Sequence, residues 1–279
     1  MKTSTDILSF FKSELNAFYS DNEIESLAYW CIDYLYNCSR SEWLMNTAFS
    51  LSQSDINRLN DILFRLKKHE PIQYILGVCS FFGLDFKVNP SCLIPRPETE
   101  ELIRWILQDD FKSGIDLGTG SGCIAISLAK HSTIQMTALD ISSSALDLAK
   151  LNAEANNVEV KFIHHDIFEG ISFENRFDFI VSNPPYVLES EKPHISTNVL
   201  DYEPELALFV KDDDPLKYYK RIVEFSHTHL KDGGVLFFEI NEQKAPEIED
   251  LLEKNSFCNI LIKKDMQGKN RMVKAVRKS

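Results

Sequence analysis

Long apolar runs are missing from this 279-residue chain: no stretch of about eighteen consecutive apolar residues occurs, so no membrane-spanning helix is expected. The first residues, MKTSTDILSFFKSELNAF, carry Asp6, Lys12 and Glu14 where a secretory signal would need an unbroken apolar core. A soluble, cytoplasmic protein is the expectation. No C-x-x-C pair occurs among the six cysteines (Cys31, Cys38, Cys79, Cys92, Cys123 and Cys258), which argues against a zinc site or a disulfide framework and for buried, reduced thiols. His164-His165 and His227-x-His229 have no carboxylate or cysteine at a ligand-like spacing, so no metal is expected. Basic runs are absent as well. With a formal net charge of −12 and no concentrated Lys/Arg segment, the chain lacks the surface that neutralises a phosphate backbone, and a protein or small-molecule partner is expected rather than nucleic acid. No internal repeat or low-complexity segment appears.

What is present suggests two domains, because 44% hydrophobic residues over this length can bury at least one sizeable core. Residues 1–70 read as a small helical bundle: Ile7, Leu8, Phe11, Leu15 and Phe18 recur at three- and four-residue intervals. Ser20-Asp-Asn22 and Ser52 to Asp55 stand as capping residues before two further helical runs. Residues 71–92, from Pro71 and rich in aromatic and aliphatic residues broken by Gly77 and Gly83, predict a β-hairpin linker. Residues 93–279 alternate short apolar runs with helical patterns, the signature of a parallel sheet covered on both faces. The fold class expected is therefore α/β, a Rossmann-like sheet behind a helical bundle.

Two motifs carry chemistry. Asp116-Leu-Gly118-Thr119-Gly120-Ser121-Gly122 sits at a predicted strand-to-helix turn, and Asp140 ends the next strand. A glycine turn alone could serve only close packing. For a dinucleotide, Asp116 would crowd the pyrophosphate with like charge. S-adenosylmethionine has no phosphate and carries cationic groups, so acids beside the loop favour it, and Asp140 can accept both ribose hydroxyls. Asp166 and Phe168, after the third strand, can bond an adenine edge and stack on its face.

The second motif, Asn183-Pro184-Pro185-Tyr186, follows the fourth strand, where two prolines force the chain out of the sheet. In a sheet ordered 3-2-1-4-5 the carboxyl ends of its first and fourth strands are neighbours, so Asn183 is expected to face the glycine loop. The Asn183 side-chain carbonyl and the Pro184 backbone carbonyl can hold the two N–H groups of a planar nitrogen, with Tyr186 stacked on its plane. Amino groups of bases and side-chain amides both fit that arrangement.

With both motifs in place the sequence resembles the release factor glutamine methyltransferases, the HemK/PrmC family. The resemblance extends to Pro71-Ile-Gln-Tyr-Ile-Leu-Gly77, Leu93-Ile-Pro-Arg-Pro-Glu-Thr-Glu100, Tyr202-Glu-Pro-Glu-Leu-Ala-Leu208 and Gly268-Lys-Asn-Arg271. It implies S-adenosylmethionine contact through Gly118 to Gly122, Asp140, Phe168 and Asn183, with a glutamine held by Asn183 to Tyr186. It also implies methyl transfer to the glutamine of the Gly-Gly-Gln loop of release factors, leaving S-adenosylhomocysteine. Because every residue named for the chemistry lies after Ser113 and one glutamine offers little surface for discrimination, residues 1–70 are expected to recognise the protein substrate. A monomer is expected. Ribosomal protein glutamine methylation and adenine-N6 methylation of nucleic acid are the rivals; the second must flip a base and hold its backbone, against the acidic balance of this chain. Arg96, Glu98 and Glu100 fit either a site or an ordinary helix start. Phe209 to Pro215 departs from the glycine-rich turn usual in the family.

Overall fold

Serine caps and apolar periodicity build the front of the molecule. The computed structural model describes residues 3–46 and 48–278, grouped into two units, one of 1–77 with 196–202 and one of 78–195 with 203–279. The first unit contains helices α1 (Ser4–Leu15), α2 (Asp21–Tyr36), α3 (Arg40–Leu44), α4 (Gln53–Leu66) and α5 (Ile72–Leu76). At Ser20, Ser39 and Ser52 the backbone N–H donates to Glu23, Glu42 and Asp55 at 2.9 Å, the reciprocal capping arrangement that fixes a helix start. Ile7, Phe11, Leu15, Ile24, Ile32 and Leu59 are fully buried in one core. Each contributes about 1.5–3 kcal/mol of apolar burial.

The structure departs from the expected hairpin at its start. Ile72–Leu76 is helical, entered from Pro71 and closed by Gly77 in the left-handed conformation (φ +74°). Apolar richness alone does not separate a buried helical turn from a strand over so few residues. The hairpin proper pairs β1 (Val78–Phe81) with β2 (Leu84–Lys87), and its Phe81 and Phe86 join a core with Leu102, Ile103 and Phe179.

The rest of the second unit runs α6 (Pro97–Ile106), β3 (Ser113–Leu117), α7 (Cys123–His131), β4 (Gln135–Asp140), α8 (Ser143–Ala155), β5 (Val160–His164) and β6 (Phe177–Ser182). A short excursion follows: β7 (Val187–Leu188), a 3-10 turn, α9 (Thr197–Leu200), which lies in the stretch grouped with the first unit, α10 (Glu205–Leu208) and β8 (Phe209–Val210). Then come α11 (Lys217–His229), β9 (Leu230–Glu239), α12 (Ala245–Lys254), β10 (Phe257–Lys264) and β11 (Asn270–Arg277). The seven-stranded sheet is ordered β5-β4-β3-β6-β9-β11-β10, parallel except for β11, which runs antiparallel to both neighbours. Phe179, Ile180 and Val181 are all fully buried, because successive side chains enter opposite faces that are each covered by helices. The sequence order reverses between β3 and β6, the place where such sheets open a ligand crevice.

Candidate active site

A cavity of about 380 Å³, within the range of small-molecule sites, lies at the carboxyl ends of β3, β4 and β6. Its floor is the glycine loop between β3 and α7. Gly118, Gly120 and Gly122 have φ of +76°, +54° and +81°, conformations that residues with a Cβ rarely adopt. At Gly122 space is also decisive: a Cβ would stand 2.7 Å from Ile126 and 3.1 Å from Ala149. Gly118, Thr119, Gly120 and Ser121 line the cavity, whereas Gly122 serves the packing of α7.

Asp140 lines the cavity from the end of β4. Its two carboxylate oxygens accept N–H bonds from Gly120 (2.8 Å) and Ser142 (2.9 Å), tying the loop to the strand. Burial raises its pKa and those N–H bonds pull it back down. A carboxylate has about four lone-pair positions, so acceptor capacity remains for a hydroxyl donor. Asp166 accepts the Phe168 N–H on one oxygen (2.9 Å), and no described residue bonds the other. The half-exposed Phe168 ring carries Lys217 Nζ at 4.7 Å, and Arg221 holds the loop by donating to the Ile167 and Glu169 carbonyls. Asp166, Phe168 and Lys217 all line the cavity.

Across from the loop stands the turn after β6. The parallel register Asp116↔Val181 brings the chain out of β3 and β6 at the same end of the sheet, and Gly118 and Asn183 line the same cavity there. Ser182 Oγ donates to the Leu117 carbonyl at 2.6 Å and clamps the two strand ends together. Asn183, Pro184 and Pro185 line the cavity, and no described residue hydrogen-bonds the Asn183 side chain.

Two expected residues lie elsewhere. Asp116 is fully buried beneath the loop, accepting from Thr119 Oγ1 at 2.6 Å on one oxygen while the other has no partner. Desolvation pushes its pKa up to about 7. It shapes the loop from below and does not reach the cavity wall. Tyr186 also misses the wall: its ring packs into the core under α11 and its hydroxyl donates to Glu239 at 3.0 Å, so it is not available here to stack on a planar ligand.

Further residues of the wall come from the motifs quoted for the family resemblance. Arg96 lines the cavity and pairs with Glu203 at 2.6 Å, while the other Glu203 oxygen accepts the Ile94 N–H at 3.1 Å. This joins the Leu93–Glu100 motif to the segment starting at Glu203, whose Pro204, Leu206 and Ala207 complete the wall. Glu98 accepts from Gln267, and Glu100 accepts the Phe82 N–H in the β1–β2 turn and pairs with Arg104, so both acids act structurally. Phe209 to Pro215, where the family pattern is left, is locked down: β8 pairs with β7, and Asp212 accepts the Ser190 N–H and hydroxyl.

A Rossmann-like sheet with an acid-flanked glycine loop facing an Asn-Pro-Pro turn defines an S-adenosylmethionine-dependent methyltransferase. Residues 97–202 match the Methyltransferase small domain and 6–77 the PrmC N-terminal domain. The fold is shared with a methyltransferase from Pyrococcus furiosus (TM-score 0.55, 21% identity, 80% of this chain and 99% of that one). It is shared too with the hMettl16 catalytic domain in complex with MAT2A 3'UTR hairpin 1 (TM-score 0.59, 17% identity, 91% and 90%). More narrowly, the chain belongs to the release factor glutamine methyltransferase family. It is 43% identical to the release factor glutamine methyltransferase of Flavobacterium psychrophilum over 95% of both chains. Identity to that of Bacteroides thetaiotaomicron is 42%, over 97% of this chain and 99% of the relative.

Proposed function

We propose that the chain transfers a methyl group from S-adenosylmethionine to the side-chain amide nitrogen of the glutamine in the Gly-Gly-Gln loop of peptide chain release factors. The observation that carries this reading is the Asn183 amide, which lines the same cavity as the glycine loop and is engaged by no described residue. The cavity suits the methyl donor: open acceptor positions remain on Asp140 and Asp166 for hydroxyl and amino hydrogens, and Phe168 offers an apolar face. When bound, S-adenosylmethionine supplies an electrophilic methyl group on a sulfonium.

Gly118 to Ser121 and Asp140 hold the donor, and Asp166 and Phe168 hold its adenine end. The Asn183 side-chain carbonyl and the Pro184 carbonyl accept the two amide N–H groups, drawing the nitrogen lone pair out of conjugation and toward the methyl carbon. The nitrogen would take the methyl group as the donor's carbon–sulfur bond breaks, leaving S-adenosylhomocysteine. The nitrogen then becomes acidic and its proton passes to water, so no strong base is required. Residues 1–70 supply recognition of the protein substrate. The chain is proposed to act as a monomer, in the cytoplasm with translation. No helix of the described residues is long and apolar enough to cross a membrane.

Mass spectrometry of a purified bacterial release factor incubated with the chain and S-adenosylmethionine tests this reading. One added methyl on the Gly-Gly-Gln glutamine is expected. Asn183→Ala is expected to lose about a hundredfold or more in turnover with cofactor affinity retained; methylation elsewhere, or not at all, refutes the assignment.

A further inference from the structure

Glu239, the last residue of β9, is fully buried in a position where the reaction described above gives it no part. A buried carboxylate is costly unless both oxygens are bonded. Here both are: Oε1 accepts the Tyr186 hydroxyl at 3.0 Å and Oε2 accepts Thr99 Oγ1 at 2.6 Å, from the first turn of α6. Burial raises the Glu239 pKa, and the two hydroxyl donors and Arg271 oppose that rise. Tyr186 is gripped at a second point, where Asn241 Nδ2 donates to its backbone carbonyl at 3.3 Å. The same Asn241 nitrogen reaches Glu191 at 3.2 Å, and Glu191 in turn accepts the Leu188 N–H at 2.8 Å.

The turn needs such outside anchors. Pro184 and Pro185 have no N–H, so two of the four residues from Asn183 to Tyr186 cannot tie the turn to its neighbours by donating a backbone bond. Before the prolines, Ser182 is clamped to Leu117; after them, the fixed point is Tyr186. The direction of the Asn183 side chain and the Pro184 carbonyl therefore depends on where Tyr186 is held.

We propose that Glu239 is a positioning residue for methyl transfer, acting through the Tyr186 hydroxyl to hold the Asn183–Tyr186 turn in the geometry that presents the amide nitrogen. Thr99 fixes the carboxylate that does so. The role of Tyr186 is then that of a post behind the turn, in keeping with its absence from the cavity wall. The inference rests on the proposed use of the turn to hold the glutamine amide.

The test uses the full-length enzyme with intact release factor. Tyr186→Phe removes only the O–H, and Glu239→Ala removes the carboxylate; each is expected to lower kcat by about ten- to a hundredfold, the scale of a misplacement of about 1 Å. Cofactor affinity by calorimetry and KM for release factor are expected to stay within about twofold, since neither variant alters a cavity-lining residue. Glu239→Gln, which keeps the shape and an acceptor, is expected to recover most of the turnover lost in Glu239→Ala. An unchanged kcat in Tyr186→Phe overturns the inference. So does a loss that disappears once rates are divided by the calorimetric count of cofactor-binding sites, because that is the result of a merely structural role. Asn183→Ala separates the two levels: if it retains turnover, the reading of the turn itself fails, whereas an inactive Asn183→Ala beside a fully active Tyr186→Phe overturns only the role of Glu239.

Discussion

Asp116 shows what one residue costs when it is buried for function. It is completely enclosed, bonded to Thr119 on one oxygen and unpartnered on the other, and its pKa is pushed up to about 7 by desolvation, with the nearby Asp140 adding to the rise. A carboxyl whose folded pKa exceeds its unfolded value binds its proton more tightly when folded. Its contribution is therefore most favourable below the unfolded value and is lost as pH rises through the folded one. From 3.8 to about 7 that loss has an upper bound of about 4 kcal/mol. Asp116→Asn keeps an acceptor for Thr119 and removes the charge. The melting temperature of the variant is expected to exceed that of the unsubstituted protein at pH 8, with the gap closing toward pH 4, as followed by calorimetry without cofactor. A gap that does not vary with pH would mean that Asp116 does not titrate in this window.

At the scale of elements, the segment from Glu203 to Val210 shows how a cavity wall can be held by one distant pair. The Glu203 carboxylate, itself buried, takes the Arg96 guanidinium and the Ile94 N–H, and so fixes the start of a segment whose own helix, α10, is a single turn. Glu203→Ala leaves that N–H and the guanidinium without their acceptor. The cost is expected to be about 1–3 kcal/mol, below the value for a fully buried pair because Arg96 is about one-third exposed. Hydrogen exchange is the sensitive readout: amides of residues 205–210 are expected to lose protection while those of α7 keep theirs. Equal protection in both proteins would show that the segment is held by its own packing. This pair also marks the limit of reading the sequence. Strands and helices with a strong period were legible: the alternation of strands and helices expected over 93–279 runs from β3 through β6, and the loop, Asp140 and Asn183 converge on one cavity. The Ile72–Leu76 helix was not, because five residues, Gln73 the one polar residue among them, are too few to show a period. The partners Arg96 with Glu203 and Thr99 with Glu239 lie 107 and 140 residues apart. Such contacts arise from topology; the quoted family motifs take in Arg96, Thr99 and Glu203, whereas Glu239 lies outside all of them.

For the whole molecule the question is how one glutamine among many is selected. A side chain preceded by two glycines offers little surface, and two hydrogen bonds to an amide do not distinguish one protein from another, so specificity requires a second contact surface. The front unit has the composition for one. Among the described residues it carries half of the large apolar side chains left exposed, including Phe18, Trp30, Tyr34 and Phe64, in under a third of the chain. Exposed aromatic groups of this kind are characteristic of binding surfaces, where a few large side chains carry most of the affinity. Phe64 is 58% exposed on α4, with Lys68 Nζ 4.2 Å over its ring, and it packs no part of the bundle core. Phe64→Ser is therefore expected to leave folding and S-adenosylmethionine affinity unchanged, since surface substitutions away from packed or bonded groups usually shift stability by less than about 0.5 kcal/mol. The catalytic efficiency on intact release factor is expected to fall by about tenfold, the effect of removing a contact worth more than about 1 kcal/mol, and to appear in KM rather than kcat. A short Gly-Gly-Gln peptide, too small to reach a second surface, is expected to be methylated at the same rate by both proteins. If steady-state kinetics show the variant to be as efficient as the parent on intact release factor, Phe64 lies outside the recognition surface, and the same comparison passes to Phe18 and Trp30. Parity in all three would leave the bundle with a purely structural role.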